Sequence, residues 1–517
     1  MKLAEIFQDG MIIQREKPFA VWGETDAEEE ITVRLNGRTL CTEKAGPGKF
    51  RITVPAQPAA ESATLEIGDL ALRDVDFGEV WIAGGQSNMN FLVKWDAERE
   101  EIYAAPADRH VRYYEVGKYC FEGEEKDGFK DGSRWNTWFP FKRENSPYFS
   151  AVATWFALRL RETLGVPVGV VGCSVGGTSA STWMDDAILR ADPDLKIYTD
   201  EYDASLKDLN LERYYEINHM VRAATGGKAG EEGEDFLEGN TGVTMQEYMA
   251  FQMRGKDPQA LAEERQARTS IPMEEILRKG PNDPHPGSLY RTMVAKIAGF
   301  SCRGVLFYQG CDDVQKGAIY GKLFSALIAC WRRDWGEELP FVFAQLAPFG
   351  SWMGNTGDLF PLVRRAQREV WDTVPKTYMV STSDVGCEID IHPKYKRNVG
   401  ARMYLQAMDK VYGVSTVSDA PVCVRAEKEG NCVVLTFANA AELSLRGGRM
   451  NALEVLRGGV PTGPVSASAE GNRVILRGEG LSEEGSLEIR FAETGYYEVN
   501  LYNEAGIPAV PFTATAV

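Results

Sequence analysis

Only four histidines occur in the 517 residues, so a general base of that type is His110, His219, His285 or His392. His219 sits in a helical stretch beside Tyr and Ile, His285 is bracketed by two prolines in NDPHPGSLY, and His110 enters a strand-like run, ADRHVRYYE. Those three contexts have structural or surface uses. His392 differs, because SDVGCEIDIHPKYKRNVGARMYLQAM places Asp384, Glu388 and Asp390 before it in a loop, ahead of a helix expected from about Lys396. An acid two residues before a histidine, with proline after it, suits a loop that presents an imidazole while a carboxylate orients it. Taken alone, Asp-x-His is equally compatible with a purely structural histidine.

The matching nucleophile is Ser87 in VWIAGGQSNMNF. Val80 to Ala83 read as a short buried strand, since β-branched and aromatic residues bounded by glycine fit a strand covered on both faces. Ser87 then lies at a strand's carboxyl end, where ligands bind in open α/β sheets. No glycine follows two residues later, so this is not a Gly-x-Ser-x-Gly elbow, although Gly84 and Gly85 still permit close backbone approach. The plainer use of Ser87 is to cap a following helix. Two more apolar runs end in small polar residues: VPVGVVGCSVGGTSASTWM, where amides of Gly176 and Gly177 can meet a developing oxyanion, and RGVLFYQGCDDVQKG, ending in Gln309, Gly310, Cys311, Asp312 and Asp313. Three such strand ends with one late Asp-x-His loop fit acyl transfer by an activated serine. Cys173 and Cys311 lie in these loops without a histidine beside them in sequence and read as small packing residues.

The elements that must hold these residues follow from pattern and length. A chain this long predicts about three structural units. Residues 1–76 alternate in short segments such as FAVWGET, EITVRLNG and KFRITVPA, which predicts an all-β, sandwich-like module. Residues 77–413 alternate strands with helical stretches such as ATWFALRLRETLG, which predicts an α/β layer fold. An acidic, helical insertion is expected over about 185–286, either as a cleft wall or as a solvated helical pair. Residues 414–517 return to β patterning, in CVVLTFANA, RVILRGEG and SLEIRFAE.

Composition narrows the partners. The chain is 44% hydrophobic and has no apolar run long enough to cross a bilayer, so no membrane partner is expected. Its formal net charge of -18 repels polyphosphate and argues against nucleic acid. Nine scattered cysteines without a close Cys-x-x-Cys pair or Cys/His cluster predict neither a disulfide framework nor structural zinc. With no apolar stretch after the early lysine, the expected location is cytoplasmic.

With these blocks in order, the chain resembles the sialate O-acetylesterase-like carbohydrate esterases of the SGNH hydrolase superfamily. GGQSNM looks like that family's nucleophile block, GGTSASTWM like its Gly-Gly-Thr block, GVLFYQG like its Trp-Tyr-Gln-Gly-Glu block and DIHPKYKRNVGARM like its Asp-Ile-His-Pro block. The flanks IFQDGMIIQREKPFAVWGET and VNLYNEAGIPAVPFTA also resemble its opening and closing β modules.

The resemblance implies a three-layer α/β/α catalytic domain with flanking all-β modules, acting on an acetylated sugar or oligosaccharide without a metal or organic cofactor. It implies Ser87 as nucleophile, His392 as base and an oxyanion hole from Ser87, Gly176 or Gly177 and a side chain of the third block. Gln309 is the expected side chain because its amide can donate where an ionised Asp312 or Asp313 only accepts. Gln86, Asn88 and Arg291 are the expected substrate contacts.

Cys311 stands where the family usually has glutamate, so Asp390 becomes the expected orienting acid, with Asp384, Asp312 and Asp313 competing. Phe307 replaces the family's tryptophan, and Arg291 its usual asparagine. These departures keep two other outcomes open: a carbohydrate-binding protein that does not cut, and a carboxylate-dependent glycoside hydrolase.

Overall fold

A computed structural model describes residues 1–126, 132–224, 275, 278–352 and 355–517. The described residues of 1–312 and 322–341 form one compact unit, and those of 313–321 and 342–517 form another.

The first unit is organised by a sheet whose strands we number in chain order: β1 Leu70–Gly85, β2 Asp108–Glu115, β3 Trp138–Phe141, β4 Val168–Ser174 and β5 Gly304–Tyr308. Their spatial order is β3-β2-β4-β1-β5. β4 and β5 flank β1 in parallel, and β3 runs antiparallel at the edge. β4 and β5 are buried throughout, and so is β1 from Val75 onward, as expected of parallel strands covered on both faces.

The covers follow from the pleat. Trp81 points to one face and packs edge-on against Phe156, at 5.1 Å between ring centroids, from α1, Ala151–Leu164. Gly84, three residues on, faces the other side with Phe307, where Phe324 and Trp331 of α2, Tyr320–Trp335, lie 5.3 and 6.1 Å from the Phe307 ring. A Cβ on Gly84 would come within 3.1 Å of Trp331, so the small residue admits the bulky helix. Helices on both faces of a mainly parallel sheet make the three-layer α/β/α arrangement expected from the sequence.

β1 is longer than the sequence suggests, at 16 residues. Its first half pairs with Ala60–Ile67 of the N-terminal β region and its second half with β4 and β5, so the backbone runs as one strand through residue 76. Asp76 is fully buried there, held by Arg112 at 3.0 Å and by the His110 ring at 2.8 Å. His110 thus lies in a strand and serves an ion-paired cluster. Of the expected insertion, helices Asp186–Ala191, Lys196–Leu206 and Leu211–Ala224 are described, the last carrying His219. Much of the rest lies outside the described residues.

Strand Phe341–Ala344, which lies in the second unit from Val342 onward, neighbours strand Thr377–Val380, and two four-stranded antiparallel sheets follow. Val433, Leu435 and Phe437 alternate inward from one, Leu487, Ile489 and Phe491 from the other, and all six share a core. These sheets supply a flanking all-β region of the kind expected beside the α/β domain. Among the described residues no helix is long and apolar enough to cross a membrane.

Candidate active site

Strand register brings three sequence blocks to one sheet edge. Gly85 is level with Ser174 on one side and Tyr308 on the other, so all three chains leave the sheet together. Gly85 has φ +130°, and a Cβ there would lie 2.3 Å from the Tyr308 carbonyl oxygen. Only glycine permits that crossing. The chain then turns at once, with Gln86 donating its amide to Tyr308 O at 3.0 Å and accepting from the amides of Met89 and Asn90. Ser87 sits at the tip of this turn, partly exposed.

The Gly-Gly loop comes against it. A Cβ on Gly176 would be 3.2 Å from the Ser87 Cβ, so the two residues adjoin. Gly176 and Gly177 are exposed, and among the described residues neither backbone amide donates a hydrogen bond. Amides beside a serine and open to solvent are the donors an oxyanion hole requires.

Side chains behind the turn lock the loops together. Gln86 is buried, and its Oε1 accepts from the amides of Gly310 at 2.9 Å and Cys311 at 3.0 Å. Its carbonyl oxygen therefore holds the third loop against the first. Gln309 is also buried and donates from Nε2 to Thr178 O at 3.1 Å, which engages one of its two amide hydrogens. Thr178 is a hub that residue types alone do not disclose: its hydroxyl donates to Val175 O and accepts from the Trp183 indole. Asn88 is buried on the serine turn. Arg291 is committed on three sides, to Glu122 and Asp186, each at 2.9 Å, and to the His285 ring at 3.2 Å. His285 in turn stacks on Tyr202, consistent with a structural histidine.

The histidine loop belongs to the second unit, ahead of helix Arg397–Gln406, which starts where the sequence places it. Asp384 is spoken for: its two oxygens take a paired grip from Arg402 at 2.7 and 2.8 Å, while Arg402 also donates to Ser381 O. Asp390 is buried, and its Oδ1 accepts the His392 backbone amide at 2.8 Å. The same oxygen is 3.7 Å from His392 Nδ1, beyond hydrogen-bond length but within ion-pair reach. Trp352 meets the imidazole edge-on at 5.6 Å, a neighbour the sequence does not signal. Burial, reinforced by the Lys396 charge, pushes the His392 pKa down to about 3. His392 is thus neutral near pH 7, the form in which an imidazole accepts a proton. Of the competing acids, Asp313 is buried in this unit, while Asp312, in the first, is exposed. Among the described residues no group of three or more His, Cys, Asp or Glu side chains is arranged to hold a metal ion.

The chain is similar to several known carbohydrate esterases. Residues 262–409 match the family described as carbohydrate esterase, sialic acid-specific acetylesterase. Sialate O-acetylesterase of Rattus norvegicus is 26% identical over 456 residues, covering 80% of this chain and 74% of that protein. The Homo sapiens protein of that name is 25% identical over 450 residues, covering 80% and 71%. A crystal structure of a carbohydrate acetylesterase from Xanthomonas citri superposes with a TM-score of 0.72 at 27% identity, over 99% of each chain. Family match, curated relatives and structural neighbour together show that this chain resembles the sialate O-acetylesterase-like carbohydrate esterases.

Proposed function

We propose that the protein removes O-acetyl groups from a carbohydrate, with Ser87 as nucleophile, His392 as general base and Asp390 as the acid that orients it. The observation that carries this reading is the contact between Ser87 and Gly176 at the aligned ends of β1 and β4, with unengaged amides beside the hydroxyl. His392 takes the Ser87 proton as Oγ attacks the acetyl carbonyl, and the tetrahedral oxyanion is held by the amides of Ser87 and of Gly176 or Gly177. Collapse expels the sugar oxygen, which receives the proton back from His392. Water, deprotonated by the same imidazole, then attacks the acetyl-enzyme and releases acetate and free serine. Gln309, whose amide can donate where an ionised aspartate only accepts, is the third-block side chain assigned to the oxyanion or to substrate.

Acetate release from an aryl acetate, O-acetylated sialic acid and acetylated xylan oligomers tests this, with Ser87→Ala and His392→Ala as controls. Turnover by wild type but by neither variant supports the serine mechanism and ranks the sugars. Wild-type-like turnover by Ser87→Ala would sink it.

A further inference from the structure

A cleft of about 580 Å³ lies in the first unit and is walled by Trp22, the amino-terminal residues 2–6 and the segment at Lys296. No residue assigned to ester chemistry lines it. Its charge runs against that of the chain: Lys2, Lys49, Arg51 and Lys296 line it against Glu5 and Glu24, on a protein of net charge -18. The three lysines are exposed, and among the described residues none makes an ion pair. Glu24 lies opposite Lys49 in the strand register without closing to ion-pair distance.

Arg51 is exposed like the lysines, but one side of it is held in place. Its guanidinium lies 4.9 Å from the centre of the Trp22 ring, and Nη2 donates to Gly299 O at 3.1 Å. Gly299 has φ +79°, and a Cβ there would fall 1.9 Å from that Nη2, so the arginine can lie here only over a glycine. Trp22 is fixed in turn by Phe7, edge-on at 4.6 Å, and by Phe300. A guanidinium pinned along one side has less rotamer freedom to lose, and its remaining N–H groups keep the fork that matches a carboxylate.

We propose that this cleft binds a carboxylate-bearing sugar chain, uronate or sialate, independently of the ester-cleaving site. Arg51 takes the carboxylate, the lysines supply attraction, and Trp22 with Leu3 offers an apolar wall to ring carbons. One carboxylate per sugar suits the modest local excess of positive charge, whereas the densely charged backbone of a polyphosphate or nucleic acid is repelled by the rest of the chain. Holding an acidic polymer here raises the effective concentration of its esters at the enzyme.

The test is a binding titration of the full chain with unacetylated tri-galacturonate and sialic acid trimer, against a neutral trisaccharide and a short polyphosphate. Arg51→Gln and the doubly substituted Lys49→Gln/Lys296→Gln are compared with wild type, and aryl acetate turnover is measured in each. The expected result is binding of at least one acidic trimer, weakened about tenfold in both variants, as loss of charge-assisted hydrogen bonds or field predicts, with turnover unchanged. Because Lys49 and Lys296 are exposed, their replacement leaves folding intact should Arg51→Gln disturb it. Equal binding of the neutral sugar, unaltered binding by the lysine variant, or equal competition by polyphosphate overturns the proposal. Because these ligands carry no ester, failure of the serine mechanism leaves the comparison standing.

Discussion

The serine turn and the histidine loop, proposed above to act together, are held by different physics. Ser87 is positioned by backbone: strand register, a glycine crossing at Gly85 and the two amides gathered by Gln86. His392 is positioned by side chains: the Asp384–Arg402 pair, the Asp390 carboxylate on its amide and the edge of Trp352. A nucleophile on a register-locked turn tolerates little displacement, whereas a loop held by buried charge depends on ionisation as well as packing.

Removing either reacting group should have the largest effect. Ser87→Ala and His392→Ala are each expected to lower kcat by about 10⁴-fold or more, and the double variant by little beyond either alone, because the two act as one unit. Additive losses would mean that they serve separate steps.

Next comes the ion pair behind the histidine. Arg402→Leu strands the Asp384 carboxylate in a largely buried site, where breaking a pair typically costs about 3–5 kcal/mol. Urea denaturation should show that loss, with a fall in kcat as the loop loses its anchor. Replacing both partners, Asp384→Leu with Arg402→Leu, should recover much of the stability without restoring full activity. If activity returns as well, the pair is only scaffolding.

Gln86 sharpens the comparison from the serine side. Gln86→Ala leaves the Gly310 and Cys311 amides without their acceptor, a loss of about 1–3 kcal/mol for buried donors. Turnover should fall with it, because those amides fix the third loop to the serine turn. Gln86→Glu keeps an acceptor oxygen and should retain more activity than Gln86→Ala. Equal behaviour of the two would move Gln86 from loop clamp to substrate contact.

How much of this was legible in the sequence follows the same division. Ser87 at a strand end and the helix after His392 can be read from local pattern, since apolar runs and helical spacing are short-range signals. The continuous β1 cannot, because Arg73, Asp74 and Asp76 look like a polar break until another strand brings Arg112 to neutralise the buried Asp76 carboxylate and the His110 ring to within hydrogen-bond distance of it. Gln86 is visible in its motif, but its use is not: its partners lie 224 and 225 residues away, and only the sheet register brings them together. Asp384 competes with Asp390 on paper for the same reason, and the geometry of Arg402 separates them.

At neutral pH the smallest effect is in pH dependence, because it grows only as the medium turns acid, and it again sets the serine turn and the histidine loop apart. An ordinary histidine in an unfolded chain titrates near 6.5, whereas folded His392 is pushed down to about 3. Between those values the unfolded chain binds a proton that folded His392 refuses, so its contribution to stability is complete above about pH 6.5. It is lost as pH falls toward 3, at up to about 1.4 kcal/mol per pH unit. His392→Gln should flatten that part of the stability profile, while Ser87→Ala, which carries no titrating group, should leave it unchanged. In wild type the acid limb of kcat/KM should lie well below pH 6.5, since the base is already neutral there. A limb near 6.5 would show that His392 is solvated in the working enzyme, and the depressed value would then belong only to a closed, unliganded loop.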